Sequence, residues 1–472
     1  MKKDKVNTEQ EGLLARMGFS LANWSERWFP DAYIFAAIAV VLIAIIALLM
    51  GRTPVEIGVD FGTHYWDLIP FTMQMAFIII TGYVVASSKP VHKLIAKLAE
   101  IPKSTKGAVA FVAFFSMFTS LLSWGFSLIF SGILIKEISK RVKGVDYRAM
   151  GAAGFLGLGS VWALGLSSSA ALLMATKASI PPALYEISGT ISMSETIFTW
   201  QNLTMIVVLI VLSVWIAYVS APGKDKAKTA EMAGIDYGRI GNLDETKKKA
   251  ERPGEWFEYS PILNLILVAI GSVYIIHVIS KTGPIAALNL NNYNFMLLMI
   301  GLLLHWTPRN FLNSVSNSVP AIGGVLIQFP LYAGIFGILM NSGLNDVLVK
   351  FFLSISTENS FPFIAGVYSA ILGLFLPSGG GKWIVEAPYL LEAAKELNVS
   401  MAWIVQVYNA SEALPNMVNP FFMLPLLGVL GVKARDLAGY SILQLIFHAP
   451  VVLILVWLLA KTMPYVAPVF AG

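Results

Sequence analysis

The sequence predicts an all-α polytopic membrane protein built from inverted repeats, with about nine full spans and two re-entrant hairpins. Three observations predict it. The chain is 56% hydrophobic and only 13% charged over 472 residues, whereas a soluble protein carries about 25% charged residues. Many of its apolar runs approach about 20 residues, the length that crosses a bilayer as a helix. Two further apolar stretches are broken in the middle, and the surrounding Lys and Arg place both ends of each on one side. With a mean hydropathy of +0.70, too little polar surface remains to cover a water-facing fold of this length, so lipid must be the solvent for much of it. The net charge of +5 comes mostly from short loops and reflects orientation rather than affinity for nucleic acid. Cysteine is absent, which removes disulfides, thiolate metal sites and cysteine nucleophiles. The five histidines are scattered without an HExxH pairing, which argues against a metal enzyme.

Taken in order, residues 1–30 are polar and mixed in charge, and are expected on the cytoplasmic side with Trp24, Trp28 and Phe29 as interfacial anchors. No short apolar core with a small-residue cleavage site precedes the first apolar run, which is expected to be a retained span. The expected spans are Ala32–Met50, Leu68–Ala86, Met150–Ala175, Leu203–Ser220, Ile262–Ile279, Leu288–Trp306, Pro320–Met340, Met401–Leu430 and Tyr440–Ala460. The loops Ser88–Lys106 and Lys136–Arg148 each carry five basic residues, so the stretch between them should enter and leave on the cytoplasmic side. It reads as a hairpin over 107–135 with its tip at Ser123-Trp124-Gly125. Residues 221–258 hold eight basic and eight acidic residues and read as a cytoplasmic linker. On this count 31–220 is a first repeat, 259–284 a connecting transmembrane helix, and 285–472 a second repeat of opposite sense. The second repeat contains a hairpin over 361–394, entered from outside and broken at Pro377-Ser378-Gly379-Gly380-Gly381. Gln74 and Gln328 fall at comparable points before the two hairpins. Non-helical backbone at membrane depth is tolerated only inside protein or along a watery cavity, and paired breaks in inverted repeats are the architecture of secondary transporters.

Four broken regions hold the candidate site residues. At the two hairpin tips these are Ser123, Trp124, Gly125 and Ser127, and Ser378, Gly379, Gly380, Gly381, Lys382 and Trp383. Helix starts at such breaks present unpaired N–H groups that favour an anion, glycines let a carboxylate approach, and Ser hydroxyls donate to it. The plainer alternative is that Gly and Ser merely permit close helix packing. The other two regions supply candidate ligands for a coupling ion: Gly165, Ser167 and Ser168 in one, Asn409, Glu412, Asn416 and Asn419 in the other. Freed carbonyls, amides and a carboxylate are hard oxygen ligands suited to Na⁺, the one metal ion these residues suggest. Lys382, Glu386 and Glu412 fall at membrane depth, where charge is costly and functional by default. Lys382 would either neutralise a substrate carboxylate or pair with Glu386 one turn away. Glu412 has no cation near it in sequence, which points to a protonatable or ion-binding role. Phe126, Trp162 and Trp383 would line a greasy wall.

With these regions in hand, the chain resembles the short-chain fatty acid transporter family over nearly its whole length. The matching stretches include Trp28-Phe29-Pro30-Asp31, Met73-Gln74-Met75-Ala76-Phe77-Ile78-Ile79, Trp124-Gly125-Phe126, Gly301-Leu302-Leu303-Leu304-His305, Gln328-Phe329-Pro330 and Pro377-Ser378-Gly379-Gly380-Gly381. The resemblance implies carriage of small monocarboxylates such as butyrate or acetoacetate across the cytoplasmic (inner) membrane. Similarity to the wider ion-transporter group of paired re-entrant hairpins implies a homodimer with elevator-like motion. Family members often carry His where Lys382 stands and Gln where Glu386 stands, so this pair departs from the pattern. The expected function is symport of a monocarboxylate with H⁺ or Na⁺, with no organic cofactor and no nucleic-acid partner. The alternative is a carrier of dicarboxylates or other small organic anions, which would want more cationic groups than one Lys. An intramembrane enzyme would want a nucleophile beside a base, and no such pairing is visible.

Overall fold

The computed structural model describes residues 32–235, 251–468 and 470. The expected N-terminal segment with its aromatic anchors, the Trp28–Asp31 stretch and residues 236–250 of the expected linker lie outside the described residues. Every regular element of the described chain is helical. The first half runs α1 (Ala32–Leu49), α2 (Pro54–His64), α3 (Ile69–Ala86), α4 (Lys89–Leu98), α5 (Thr105–Leu122), α6 (Trp124–Arg141), α7 (Tyr147–Leu156), α8 (Ser169–Met174), α9 (Pro182–Ser188) and α10 (Trp200–Ser220). Then come α11 (Pro253–Tyr259) and α12 (Ile262–Thr282). The second half runs α13 (Leu290–His305), α14 (Pro308–Ser318), α15 (Gly323–Asn341), α16 (Leu344–Ile355), α17 (Phe361–Phe375), α18 (Gly379–Glu396), α19 (Met401–Asn416), α20 (Pro420–Leu430) and α21 (Ala434–Ala460).

Apart from the extra α9, one order of elements occurs twice. A long helix, a short one, a second long one and a second short one lead to a pair joined at a break, then to a helix interrupted midway, then to a long closing helix. Gln74 is the sixth residue of α3 and Gln328 the sixth of α15. Ser123 follows the first of these by 49 residues and Ser378 the second by 50. The short helices are amphipathic for a visible reason. In α4, Lys-Pro-Val-His-Lys-Leu-Ile-Ala-Lys-Leu repeats its lysines every four residues and buries Ile95 on the other side. In α16, Leu344, Val349 and Phe352 are buried. Such helices suit the boundary between lipid and water.

Among the described residues, seven helical stretches are long and apolar enough to cross a membrane, fewer than the nine expected. Four differences account for the discrepancy. The expected span Ala32–Met50 enters only as the shorter apolar helix Tyr33–Leu49. The expected span Met401–Leu430 is cut by Met417–Asn419 into α19 and α20, because Pro415 and Pro420 each remove a donor. The expected span Leu288–Trp306 yields α13, which has only 16 residues. One leg of the first hairpin, Thr105–Leu122, is itself of spanning length. That hairpin is larger than the 107–135 expected, since α5 and α6 have 18 residues each and so reach about 27 Å. The charged residues from Lys136 to Arg141 continue α6 instead of ending it, aided by Glu137 bonding Lys140 and Arg141 at 2.7 and 2.5 Å. The second hairpin likewise continues to Glu396.

The lipid reading rests on exposure. On α12, Ile266 (51%), Ile270 (64%), Val273 (70%) and Ile276 (66%) face outward, an arrangement water would penalise. By contrast, 94% of the apolar window in Tyr147–Met174 is buried within the protein. The interrupted helices therefore form the centre and the continuous ones the rim. One further feature fixes the start of the linker. The Asp146 carboxylate caps α7 through the N–H groups of Arg148 and Ala149 and accepts the Lys228 N–H at 3.0 Å, while Tyr147 N donates to the Lys228 carbonyl at 2.9 Å.

Candidate functional site

The chain breaks at Ser123 and Ser378 in the same way. Ser123 is extended (φ −156°, ψ 124°) and its Oγ accepts from Phe126 N at 3.4 Å, making it at once the end of α5 and the cap of α6. Ser378 is extended (φ −155°, ψ 107°) and its Oγ accepts from Gly381 N at 3.1 Å. Serine is favoured there because its short hydroxyl satisfies one of the free N–H groups that every helix start carries. A tyrosine stands beside each cap: the Tyr293 hydroxyl bonds the Leu122 carbonyl next to Ser123, and Tyr332 lies beside Ser378.

The first tip is riveted to the interrupted helix that follows it. Trp124 N donates to Ser167 Oγ at 3.1 Å and Leu166 N to the Leu121 carbonyl at 2.7 Å. Gly165 lies so close to Leu121 that a Cβ there would fall 2.4 Å from its Cα and carbonyl oxygen. Two expected ligands are thus occupied by packing: Gly165 by this contact, and Ser127, whose hydroxyl donates to the Ser116 carbonyl at 2.7 Å inside the hairpin. Phe126 also turns away, packing on Phe130 at 5.4 Å. Trp124 packs edge-on to Trp162 at 6.4 Å, and both indole N–H groups are buried without an acceptor. Gly125 is backed by Ile78 and Ile79 of α3.

At the second tip each glycine touches a different aromatic ring. A Cβ on Gly379 would meet Trp162 at 2.5 Å, one on Gly380 would meet Phe71 at 3.0 Å, and one on Gly381 would meet Tyr332 at 2.1 Å. Trp162 is the link between the tips, touching Trp124 from the first and Gly379 from the second. A Cβ on Gly379 would also lie 3.5 Å from Glu412 Oε1, and the Tyr408 hydroxyl donates to the Gly379 carbonyl at 2.7 Å. Trp383 is fully buried and packs on Tyr408 at 4.7 Å.

Three ionisable residues converge here. Lys382 and Glu386 are both 0% exposed and pair at 3.1 Å. Lys382 Nζ donates to the Ser369 carbonyl at 2.8 Å and lies 4.5 Å above the Tyr408 ring, while the Ser369 hydroxyl bonds the other oxygen of Glu386. Glu412, 1% exposed, has no hydrogen-bond donor on either carboxylate oxygen; Asn416, one turn on, is the polar side chain beside it. The two interrupted helices meet around it: Ser168 Oγ donates to Asn409 Oδ1 at 3.1 Å, and Asn416 Nδ2 to the Leu158 carbonyl at 3.5 Å. Leu158 belongs to a π-helical turn, Gly157–Val161, and such turns leave carbonyls poorly paired and cluster at functional sites. Asn409 also donates to Gln406 at 2.6 Å, and Asn419 is 3% exposed at the end of the break in the last interrupted helix.

The structure therefore brings Ser378, the three glycines, Lys382, Trp383, Asn409, Glu412 and Asn416 to one locus, with Trp124 joined to it through Trp162. The residues missed in the sequence are Ser369, Tyr408, Phe71 and Tyr332. Tyr408 and Ser369 had a signal, since Tyr408 lies four residues before Glu412 and Ser369 interrupts an apolar run. Phe71 had none, being one of 28 phenylalanines.

Residues 13–459 match the family model described as short chain fatty acid transporter. An Escherichia coli protein named as a candidate short-chain fatty acid transporter is 32% identical over 446 residues, covering 94% of this chain and 99% of its own. A protein of the same name from Haemophilus influenzae is 30% identical, with the same coverage. Among solved structures the fold is similar to the Alcanivorax borkumensis YdaH transporter (TM-score 0.58, 14% identity, 93% of this chain and 100% of that one). It is also similar to Neisseria gonorrhoeae MtrF, described with a class of antimetabolite efflux pumps (TM-score 0.58, 13% identity, 96% and 99%). At that identity the likeness establishes the fold alone.

Proposed function

Because the chain belongs to the short-chain fatty acid transporter family, we propose that it carries small monocarboxylates such as butyrate or acetoacetate together with a cation, H⁺ or Na⁺. It is a multi-pass inner-membrane transporter and not an enzyme. The observation that carries the cation reading is the Glu412 carboxylate, buried beside the second tip without a donor. An isolated ionised carboxylate in a low dielectric is costly enough that it takes up a cation or a proton. Lys382, Glu386 and Glu412 together sum to one negative charge, and a cation seated at Glu412, with Asn409, Asn416 and Ser168 around it, brings the empty site to neutrality. A bound carboxylate adds another negative charge, and one further cation must travel with it. That gives an electroneutral symport of one cation per substrate.

The substrate needs donors for its carboxylate and an apolar wall for its tail. The first N–H groups of α18 at Gly379 and Gly380, the Lys382 ammonium and the buried indole N–H groups of Trp124 and Trp162 supply the first; Trp162, Phe71 and Trp383 supply the second. The duplicated order of helices, with a Ser-capped break in each half, supports an inverted repeat of two re-entrant hairpins around this locus. A dicarboxylate would bring two charges to a site with a single, already paired lysine, which disfavours the alternative substrate. The test is uptake of labelled butyrate by proteoliposomes under imposed H⁺ and Na⁺ gradients. An electroneutral 1:1 symport accumulates about tenfold more butyrate per tenfold gradient. Uptake that ignores both gradients refutes the coupling, and no uptake under any condition refutes the substrate.

A further inference from the structure

The lysine at the candidate site already holds a carboxylate. Glu386 Oε1 sits 3.1 Å from Lys382 Nζ, and the ammonium is completed by the Ser369 carbonyl at 2.8 Å and the face of Tyr408. Both side chains are sealed from solvent. The substrate proposed above is itself a carboxylate, the same functional group on a short apolar tail. An ammonium carries three donors, and here one goes to a carbonyl, Glu386 neutralises the charge as an ion pair and the ring face covers another side. A second carboxylate can reach this nitrogen with full charge complementarity only by taking the place of the first.

We propose that Glu386 is a built-in competitor: substrate displaces it from Lys382, and the displaced Glu386 takes the proton that accompanies transport. This rests on the monocarboxylate reading. The step is balanced. The ion pair Lys382–Glu386 is replaced by the ion pair Lys382–substrate, and a proton from the compartment that the site faces forms an O–H bond on Glu386. The site gains one anion and one proton, so its net charge is unchanged. Release on the other side reverses both events. Protonation is required because the displaced group has nowhere solvated to go. The groups facing it are Ser369 and Tyr368 on α17, Tyr389 and Lys382 on its own helix, and Tyr408 and Glu412 on α19. Of these only Lys382 is a cation, and it would then be engaged by substrate. Glu412, the other acid, repels a second charge. The Ser369 hydroxyl, already bonded to Glu386, can accept from the protonated form as readily as it donates to the ionised one.

The inference separates two roles that one acid might have filled. Glu412 seats the cation that the empty site needs; Glu386 carries the proton linked to substrate. It also gives the paired lysine a purpose beyond neutralising a buried glutamate, since an empty carrier whose lysine is satisfied can return across the membrane without an orphan charge.

The experiment is butyrate binding by the purified full-length protein in weak buffer with a pH indicator. Wild type is expected to take up about one proton per butyrate bound, with the apparent affinity falling tenfold per unit from about pH 6 to 8, where butyrate itself stays ionised. Glu386→Gln is expected to bind butyrate at least tenfold more tightly, with no proton uptake and no pH dependence. Proton uptake by Glu386→Gln, unchanged affinity in that variant, or pH-independent binding by wild type would each overturn the inference. The double variant Lys382→Gln/Glu386→Gln leaves neither partner of the pair as an orphan charge, so it is expected to fold and to lose butyrate binding; retained binding there also overturns it. Absence of butyrate binding by wild type would instead refute the proposed substrate, and should Glu386→Gln fail to fold, the wild-type pH profile and the double variant still decide.

Discussion

Replacing Gly165 by Ala puts one methyl group where the first hairpin is fastened to the helix behind it. The added Cβ would lie 2.4 Å from Leu121 Cα and O and 2.8 Å from its carbonyl carbon. Ordinary contact begins near 3.4 Å, so the two segments must part by about 1 Å, and the obstacle is backbone that cannot rotate away. Gly165 itself is extended (φ −108°, ψ −169°), so alanine incurs no strain of its own there. Overpacking of this kind costs about 1–3 kcal/mol. Parting the segments also stretches the bonds from Leu166 N to Leu121 O (2.7 Å) and from Trp124 N to Ser167 Oγ (3.1 Å), each worth about 1 kcal/mol. Restricting the unfolded chain returns about 0.4–1 kcal/mol, leaving a net loss of about 2–4 kcal/mol from these terms. The assay is the apparent melting temperature of purified protein, read against Gly428→Ala. Gly428 is in α20 with nothing within 4 Å of its virtual Cβ, so alanine there should be neutral or mildly stabilising. Gly165→Ala should melt several degrees lower and take up less butyrate. If the two variants melt alike, the fastening of hairpin to interrupted helix is not as described.

Four further outcomes are expected. Glu412→Gln, which keeps the shape and removes the unpaired charge, should make the melting temperature independent of added Na⁺ and of pH near neutrality, whereas wild type should respond to one of them. Lys382→Gln alone strands a buried carboxylate and should cost about 3–5 kcal/mol, seen as poor yield or early melting, with most of the loss recovered in Lys382→Gln/Glu386→Gln. Ser378→Ala should cost about 1 kcal/mol through loss of the α18 cap, and Ser123→Ala a similar amount for α6, both by thermal shift. Gly381→Ala places a Cβ 2.1 Å from the Tyr332 ring and should abolish uptake, with Tyr332→Ala in the same chain restoring part of the folded yield.

Much of this architecture was legible because lipid imposes simple rules. The spans around Ile69–Ala86, Trp200–Ser220 and Ile262–Thr282 could be read from composition and length, and the tips at Ser123 and Ser378 from the small residues that interrupt apolar runs. The ends of the hairpins were not legible. Lys136 and Glu137 look like the end of a membrane segment, yet the pairing of Glu137 with Lys140 and Arg141 one turn on lets α6 continue through them. The site was legible where a residue was out of place for its surroundings, as with Glu412 and Lys382. It was illegible where an ordinary residue acquired its role from a distant neighbour. Phe71 against Gly380 and Trp162 against Gly379 are contacts between segments far apart in sequence, and no local pattern announces them. For the same reason Gly165 and Ser127 read as candidate ligands, although their neighbours Leu121 and Ser116 occupy them in packing.

The tie between Asp146 and Lys228 anchors the chain that leaves the first half. A backbone held at both its N–H and its carbonyl cannot slide past its neighbour, so Lys228 stays fixed to the foot of α7 and a pull on the chain there is borne by that helix. Cutting the Asp146 carboxylate back to alanine should release that mooring and fray the start of α7 together.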